Sequence, residues 1–256
     1  MMDVIKNLSD TLTLANRIIK HNIRSIDTLI TVVAMPVMIL LGMVFIFGGA
    51  IQIPGVTKDE YINYVLPGIL LITIATGSAY TSLRINLDKT SGMFDRFKSM
   101  PIAKSSVLGG QVVASVIFML VSIIVVLIVG FIAGFRSDAT FIEWLLVGLL
   151  IILFSLALTW ISIPFGLAAG SIEGASSFSY ILLMLLFVSS AFVPVEGMPK
   201  LVQIFAENQP MTPIIQTLRN LLDSQSVGND LWLSIGWMVL IILISYIFGL
   251  KAYRRV

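Results

Sequence analysis

A short polar and basic segment, residues 89–101 with the sequence KTSGMFDRFKSMP, lies between two long apolar runs. Methionine and phenylalanine recur in it at spacings of three and four residues, which predicts an apolar stripe along a short helix. Such a stripe can bind in a groove of another protein, with aromatic anchors for affinity and an arginine to fix the register. This candidate binding surface comprises Gly92, Met93, Phe94, Asp95, Arg96, Phe97 and Met100. The alternative is that the stripe packs against its own chain at the membrane surface, and the two alternatives stay open at this stage.

The remaining sequence offers no residues arranged for catalysis. It contains no GxxxxGK[ST] phosphate loop, no GxGxxG turn, and neither a GxSxG nor a HExxH motif. There is no cysteine and one histidine, His21, so we expect neither a thiol nucleophile nor a metal site. We therefore expect that the chain binds no cofactor and is not an enzyme by itself.

The composition indicates an integral membrane protein. Of the 256 residues, 57% are hydrophobic and 12% are charged, and the mean hydropathy is +1.00. Soluble domains carry about 25% charged residues, which they need to cover their surface. The net charge of +2 is small, and no basic patch suggests binding to nucleic acid.

Six apolar runs are long enough to cross a bilayer, which takes about 20 residues of helix. Their continuous apolar character favours an all-α membrane protein over an alternating β-barrel pattern. The 28 residues before the first run include several acidic ones, so we expect no cleaved signal peptide there. The predicted spans are 29–50, 62–83, 107–134, 142–169, 176–193 and 231–250.

The basic residues predict the orientation of these spans. With six crossings, twelve of the sixteen Lys and Arg residues fall on the side of both termini and of residues 84–106, and four fall on the other side. Lysine and arginine accumulate in short cytoplasmic loops. We therefore expect both termini and the 89–101 segment to be cytoplasmic.

Two further segments are helical but do not span. Residues 8–27 place apolar side chains on one arc and basic ones opposite, which is typical of an amphipathic helix at the inner membrane interface, in contact with anionic lipids. We interpret His21, beside the apolar arc, as an interfacial side chain with no special role. In 194–230, Pro199 and Pro213 suit first helical positions and Thr212 can cap the second helix, so two helices of about ten residues each are predicted. This hairpin either dips into the outer leaflet and returns or lies on the membrane surface.

The spans hold almost no ionisable residues, whereas transporters driven by ion gradients usually carry them. If the chain moves a substrate uphill, the energy must arrive through contact with another protein.

Two segments resemble a known family. They are 84–111, RINLDKTSGMFDRFKSMPIAKSSVLGGQ, and 191–222, AFVPVEGMPKLVQIFAENQPMTPIIQTLRNLL. Together with the amphipathic helix and the basic tail, they resemble the membrane subunit of type-2 ATP-binding-cassette transporter permeases, most closely the bacterial drug- and antibiotic-export branch. The chain departs from the family pattern where Lys89 follows Asp88, where Met93 replaces a small residue, and where Met100 separates Ser99 from Pro101.

The resemblance implies a single membrane domain, residues 1–256, in which 1–28 is a connecting helix, 84–106 the loop with the coupling helix, and 194–230 an extracellular hairpin. It also implies a bacterial cell membrane, a second identical or similar permease, and a separate cytoplasmic ATPase subunit that binds ATP and Mg. The substrate path would run between the two permeases along the second and fifth spans, with ordinary helix packing as the alternative for each residue. The residues on this path would be Thr73, Thr76, Tyr80, Phe178, Tyr180, Phe187 and Ser190.

The function expected from this resemblance is export of a hydrophobic or amphiphilic small molecule, such as a drug, antibiotic, peptide or lipid-like compound. Export of a lipid-linked polysaccharide is an alternative within the family. A gradient-driven transporter or a membrane scaffold without an ATPase is the alternative from another class.

Overall fold

The computed structural model describes residues 2–48, 60–99 and 104–255, and all regular structure in these ranges is helical, as the sequence predicts. A π-helical stretch, Ile30–Ala34, joins α2 to α3, and a second one, Met43–Phe47, extends α3, so that Ile26–Phe47 is one continuous helix. The helices are α1 (Met2–Arg24), α2 (Ile26–Leu29), α3 (Met35–Gly42), α4 (Tyr61–Thr90), α5 (Met93–Lys98), α6 (Lys104–Ile132), α7 (Phe141–Ala168), α8 (Ile172–Phe187), α9 (Lys200–Asn208), α10 (Met211–Leu222) and α11 (Asp230–Arg255).

Within the described ranges, five helical stretches are long and apolar enough to cross a membrane. They correspond to five of the six predicted runs, and they are Ile26–Phe47, Tyr61–Thr90, Ser106–Ile132, Phe141–Ala168 and Asp230–Tyr253. The remaining predicted run, 176–193, is fifth in chain order and corresponds to α8, which has 16 residues. Its boundaries differ from the prediction because the Ser171 hydroxyl accepts the Gly174 N–H and starts the helix early, and because turns follow Phe187.

Helix α4 is the centre of the bundle and is buried along nearly its whole length, packed by α6, α7 and α8. Small residues allow this close packing: a Cβ added at Gly77 would lie 2.7 Å from Met119 Cγ, and one at Gly68 would lie 2.8 Å from Ala191 Cβ. Helix α8 runs antiparallel to α4, because Ser82 near the end of α4 contacts Ala175 near the start of α8.

The predicted helical hairpin is present as α9 and α10, with one difference at the second helix. Pro199 precedes α9 as predicted, but α10 begins at Met211, so Thr212 is a buried residue inside the helix rather than its cap. Pro213 then lies in the first turn, where a missing N–H costs nothing because the first four N–H groups have no helical acceptor. Pro210 occupies the capping position.

The segments expected on one side of the membrane share one end of the bundle. Lys89 contacts the end of α7, and Phe94 of α5 contacts Tyr253 near the end of α11. We call this end, which also holds α1 and the start of α6, the basic end. At the opposite end the Asn63 side chain bonds the Arg136 backbone, and Ser137 bonds the carbonyl of Leu222.

Candidate functional site

The predicted short helix between the second and third apolar runs is α5, a six-residue helix at the basic end. Gly92, which precedes it, has φ +70°, a left-handed conformation that glycine adopts without the cost a side chain would bring. The chain therefore turns sharply after α4 and brings α5 back under the bundle. Of the seven residues assigned to this surface, Met100 lies outside the described residues.

The apolar side of α5 packs against its own chain. Phe94 is 4% exposed and meets Tyr253 of α11 edge to face, with ring centroids 5.4 Å apart. It belongs to a buried cluster with Ile85 of α4 and Leu108 of α6. Phe94 therefore packs against its own chain, which was the second of the two alternatives for the apolar stripe. This packing anchors α5 to α4, α6 and α11.

Two other residues of the stripe contact α1. The Arg17 guanidinium lies 5.9 Å from the centre of the Phe97 ring, and its nitrogens are 3.9 and 4.0 Å from the Met93 sulfur. Both apolar side chains stay partly exposed. A cation over an aromatic ring at an exposed site contributes about 0.5–1 kcal/mol, so this link between α1 and α5 is weaker than the Phe94 anchor.

The outward surface of α5 is polar. The side chains of Asp95 and Arg96 are exposed, and they are bordered by the partly exposed edges of Met93 and Phe97. A partner at the basic end would therefore meet one carboxylate and one guanidinium first, with apolar edges beside them.

Helix α1 rests on the start of α6. A Cβ added at Gly110 would lie 2.8 Å from Leu14 Cβ, and the Ser106 hydroxyl donates to the carbonyl of Asn7. The predicted apolar arc of α1 divides between two surroundings, because Ala15 is buried whereas Leu12 is exposed. The amphipathic helix thus packs one face on protein and leaves apolar side chains such as Leu12 exposed.

A polar group that the sequence did not reveal lies between α1 and α4. Arg84 donates to His21 Nε2 at 3.3 Å and pairs with Asp88 at 3.7 Å. These three residues line a cavity of about 80 Å³ beneath α5, together with the buried Gln111. His21, interpreted from the sequence as interfacial, thus contacts the end of α4.

Side chains near the end of α4 cap the end of α7. The Asn86 amide donates to the carbonyls of Gly166 and Ala169 at 3.1 and 2.8 Å. The Lys89 ammonium donates to the carbonyls of Leu167 and Ala169 at 2.7 and 3.3 Å. The last carbonyls of a helix have no helical donor and favour a cation, so this contact satisfies the end of α7. The sequence signal for it is a polar pair three residues apart at the end of an apolar helix.

The predicted path residues do not form one surface in this chain. Thr73, Thr76, Phe178 and Ser190 are buried, and both threonine hydroxyls donate to carbonyls of their own helix. The Tyr80 hydroxyl accepts a hydrogen bond from Thr28. The remaining two, Tyr180 and Phe187, are exposed on α8.

At the opposite end, Arg219 of α10 is held in a partly buried site. Its Nη2 donates to the carbonyls of Tyr64 and Ser190 at 3.0 and 2.8 Å, and the guanidinium lies 3.8 Å from the Tyr64 ring centre. Burial lowers the pKa of Arg219 from its ordinary value, but arginine stays protonated at physiological pH. Arg219 therefore joins the hairpin to α4 and to the turns after α8.

This arrangement is that of a polytopic helical membrane protein with a short six-residue helix, α5, at one end. The described residues hold no group of three or more side chains suited to a metal ion. Residues 9–222 match the ABC-2 type transporter family, and the chain belongs to that family.

Similar proteins include ABC transporter permeases of drug resistance. The chain is 32% identical to the daunorubicin resistance ABC transporter permease protein DrrB1 of Streptomyces coeruleorubidus, over 76% of this chain and 68% of the relative. It is 24% identical to the probable doxorubicin resistance permease DrrC of Mycobacterium tuberculosis, over 83% and 76%. A putative transport permease, ycf38 of Cyanophora paradoxa, is also 24% identical, over 78% and 72%.

Proposed function

We propose that this chain is the membrane-spanning permease subunit of an ATP-driven exporter of hydrophobic or amphiphilic small molecules. The names of two relatives, which specify resistance to daunorubicin and doxorubicin, support this cargo class and the outward direction. The observation that carries the proposal is α5 itself, a short helix with a polar outer surface that is anchored through Phe94 to α4, α6 and α11.

The energy source is a separate ATPase subunit that binds ATP and Mg. It docks on the exposed side of α5, at Asp95 and Arg96, and on the neighbouring part of α1. The basic end faces the cytoplasm in this proposal, which agrees with the preference of lysine and arginine for that side. Because α5 is anchored to long helices, a displacement of α5 moves the bundle rather than a free loop.

The proposal includes six crossings and a hairpin that returns within the outer leaflet. Helix α8 and the turns after it supply the crossing that is fifth in chain order, because Ala175 lies beside Ser82 and Ala191 lies beside Gly68. At 1.5 Å per residue these two positions on α4 are about 21 Å apart, so the chain travels most of the membrane thickness along α4. The apolar side chains of Leu201 and Ile204 on α9 are exposed, as suits contact with lipid.

The second permease meets the exposed face of α8. Tyr180, Met184 and Phe187 follow the helical period along the second half of that face, where the one polar group among the three is the Tyr180 hydroxyl. An apolar surface with few polar groups suits an amphiphilic cargo as well as a second copy. In this proposal the path between the two copies is therefore lined by α8 more than by the buried α4.

The docking surface can be tested with charge reversals on the outside of α5. Arg96→Glu should reduce co-purification of the ATPase subunit from native membranes by about tenfold, since removal of a central arginine from an interface costs about 1–2 kcal/mol or more. Lys200→Glu makes the same charge change on exposed α9 at the opposite end and should leave co-purification unchanged.

Equal recovery of the ATPase with wild type and Arg96→Glu, at equal permease yield, would count against docking on α5. Daunorubicin uptake into inverted vesicles should also require ATP and should fall with Arg96→Glu in step with the lost ATPase.

A further inference from the structure

At the basic end, Asn86 and Lys89 of α4 bind the end of α7, and we call this pair the clamp. Together they donate four hydrogen bonds to three carbonyls at the end of α7, and the carbonyl of Ala169 receives one from each. An ammonium on helix-terminal carbonyls makes a charge-assisted bond, which is stronger than a neutral one. Asn86 is fully buried, and Lys89 is partly buried.

The clamp is directly connected to α5. The N–H of Gly92 bonds the carbonyl of Lys89, and the N–H of Ser91 bonds the carbonyl of Leu87, so hydrogen bonds fix the turn between α4 and α5. Phe94 then packs on Ile85, one turn back along α4. Hydrogen bonds and packing therefore connect α5 to Lys89 without a flexible segment between them.

On its other side, the clamp holds the start of α8. Only residues 169–171 separate α7 from α8, and the Ser171 hydroxyl caps the new helix. The Ser82 hydroxyl adds a third point of attachment from α4, to the carbonyl of Ala175. The turn between α7 and α8 is thus bound to the helix that carries α5.

We propose that Lys89 and Asn86 are positioning residues that carry the displacement of α5 to the start of α8, and so to the face that meets cargo and the second permease. This inference rests on the proposed function and specifies how its energy travels inside one chain. An end cap that served stability alone would hold the end of α7 without affecting the ratio of transport to ATP hydrolysis.

The test measures daunorubicin transported per ATP hydrolysed, in vesicles that contain the reconstituted permease–ATPase complex. Coupling between two sites in a protein is commonly worth about 5- to 150-fold, so we expect Lys89→Met to lower this ratio by about tenfold while ATPase binding is retained. Lys89→Arg keeps a cationic donor and should restore most of the ratio. Lys200→Met removes an exposed lysine from α9 at the opposite end and is the matched control, with no effect expected.

A second measurement follows the clamp without relying on transport. The chain has no cysteine, so spin labels at Ser91→Cys and Ser177→Cys, both exposed positions, report the distance between the end of α4 and the start of α8. In the wild-type background this distance should stay the same with and without ATP, because the clamp moves both elements together. In Lys89→Met, or in Lys89→Gln if the first variant folds poorly, the distribution should broaden and shift with ATP.

The outcomes separate the two proposals. If wild type transports with ATP and Lys89→Met keeps both the ratio and the label distance, the clamp proposal is overturned and the proposed function stands. If wild type shows no ATP-driven transport, the proposed function fails, and the inference that rests on it fails with it.

Discussion

The two ends of the α4–α8 pair are held together in different ways. At the basic end the donors, Asn86 and Lys89, belong to α4 itself and bind the carbonyls just before α8. At the opposite end the donor is Arg219, on a third helix, and it binds Tyr64 of α4 and Ser190 after α8. The basic end is therefore tied directly to α4, whereas separation of the opposite end would break the bonds of a partly buried cation on α10. In the proposed exporter the first end transmits a displacement and the second restrains it.

The largest effect on stability is expected at the opposite end. Arg219→Met removes the cation and its three hydrogen bonds to the carbonyls of Tyr64 and Ser190, and Ser190 keeps only the long bond from the Tyr64 hydroxyl. The loss should lower the free energy of unfolding by about 3 kcal/mol. Thermal unfolding of the purified permease measures this loss. Arg219→Lys keeps the charge without the planar fork and should recover part of it. An unchanged melting temperature in Arg219→Met would remove the distinction between the two ends.

At the basic end, the next largest effect is expected from the anchor of α5. Phe94→Ala should cost about 3 kcal/mol at most, because a buried phenylalanine loses its packing but the site lies near the surface and can partly collapse. In Phe94→Ala, the backbone amides of α5 should exchange hydrogen faster than they do in wild type, whereas those of α10 should not. Phe248→Ala, which truncates an exposed ring on α11, is the control and should change little.

The smallest expected effect concerns Asp223, which lies one turn after Arg219. Burial raises the pKa of the Asp223 carboxyl, although the guanidinium of Arg219 opposes the rise. The charged form is thus disfavoured in the folded state, and the penalty is present above the folded-state pKa and disappears as pH falls to the unfolded value near 4.

Asp223→Asn removes this penalty, so it should slightly raise the melting temperature at pH 7 and reduce the gain that wild type shows between pH 7 and pH 5. Identical pH profiles for the variant and wild type would show that the Asp223 carboxylate carries no such penalty.

The sequence predicted the features that depend on local patterns. Five spans, the amphipathic α1, the short α5 after Gly92 and the paired α9 and α10 follow from apolar run length, helical periodicity and the positions of glycine and proline. The count of six crossings also predicted which segments share an end. That this end faces the cytoplasm was inferred from the basic residues and stays a prediction.

The missed features depend on contacts between residues far apart in the chain. Phe94 meets Tyr253, a pairing with no local signature. Lys89 meets the carbonyl of Leu167, and the local sequence marks Lys89 as one of a polar pair at a helix end without indicating its partner. The end of α8 at Phe187 was missed for a related reason. Its apolar continuation is a buried set of turns, and hydropathy alone does not distinguish turns from helix.

The path residues were chosen from the resemblance, which identifies spans but not the faces those spans present. Thr73 and Thr76 are buried within the single chain, and Tyr180 and Phe187 face outward. Their contact with cargo stays a prediction.

The central claim is that α5 receives the motion of a cytoplasmic ATPase, and site-specific cross-linking tests it most directly. A photo-reactive label on Asp95→Cys, the one cysteine in the chain, should form a product with the ATPase subunit in native vesicles, whereas the same label on Lys200→Cys should not. Labelling of Asp95→Cys by a membrane-impermeant reagent from outside the cell, with no ATPase product from inside, would contradict the account.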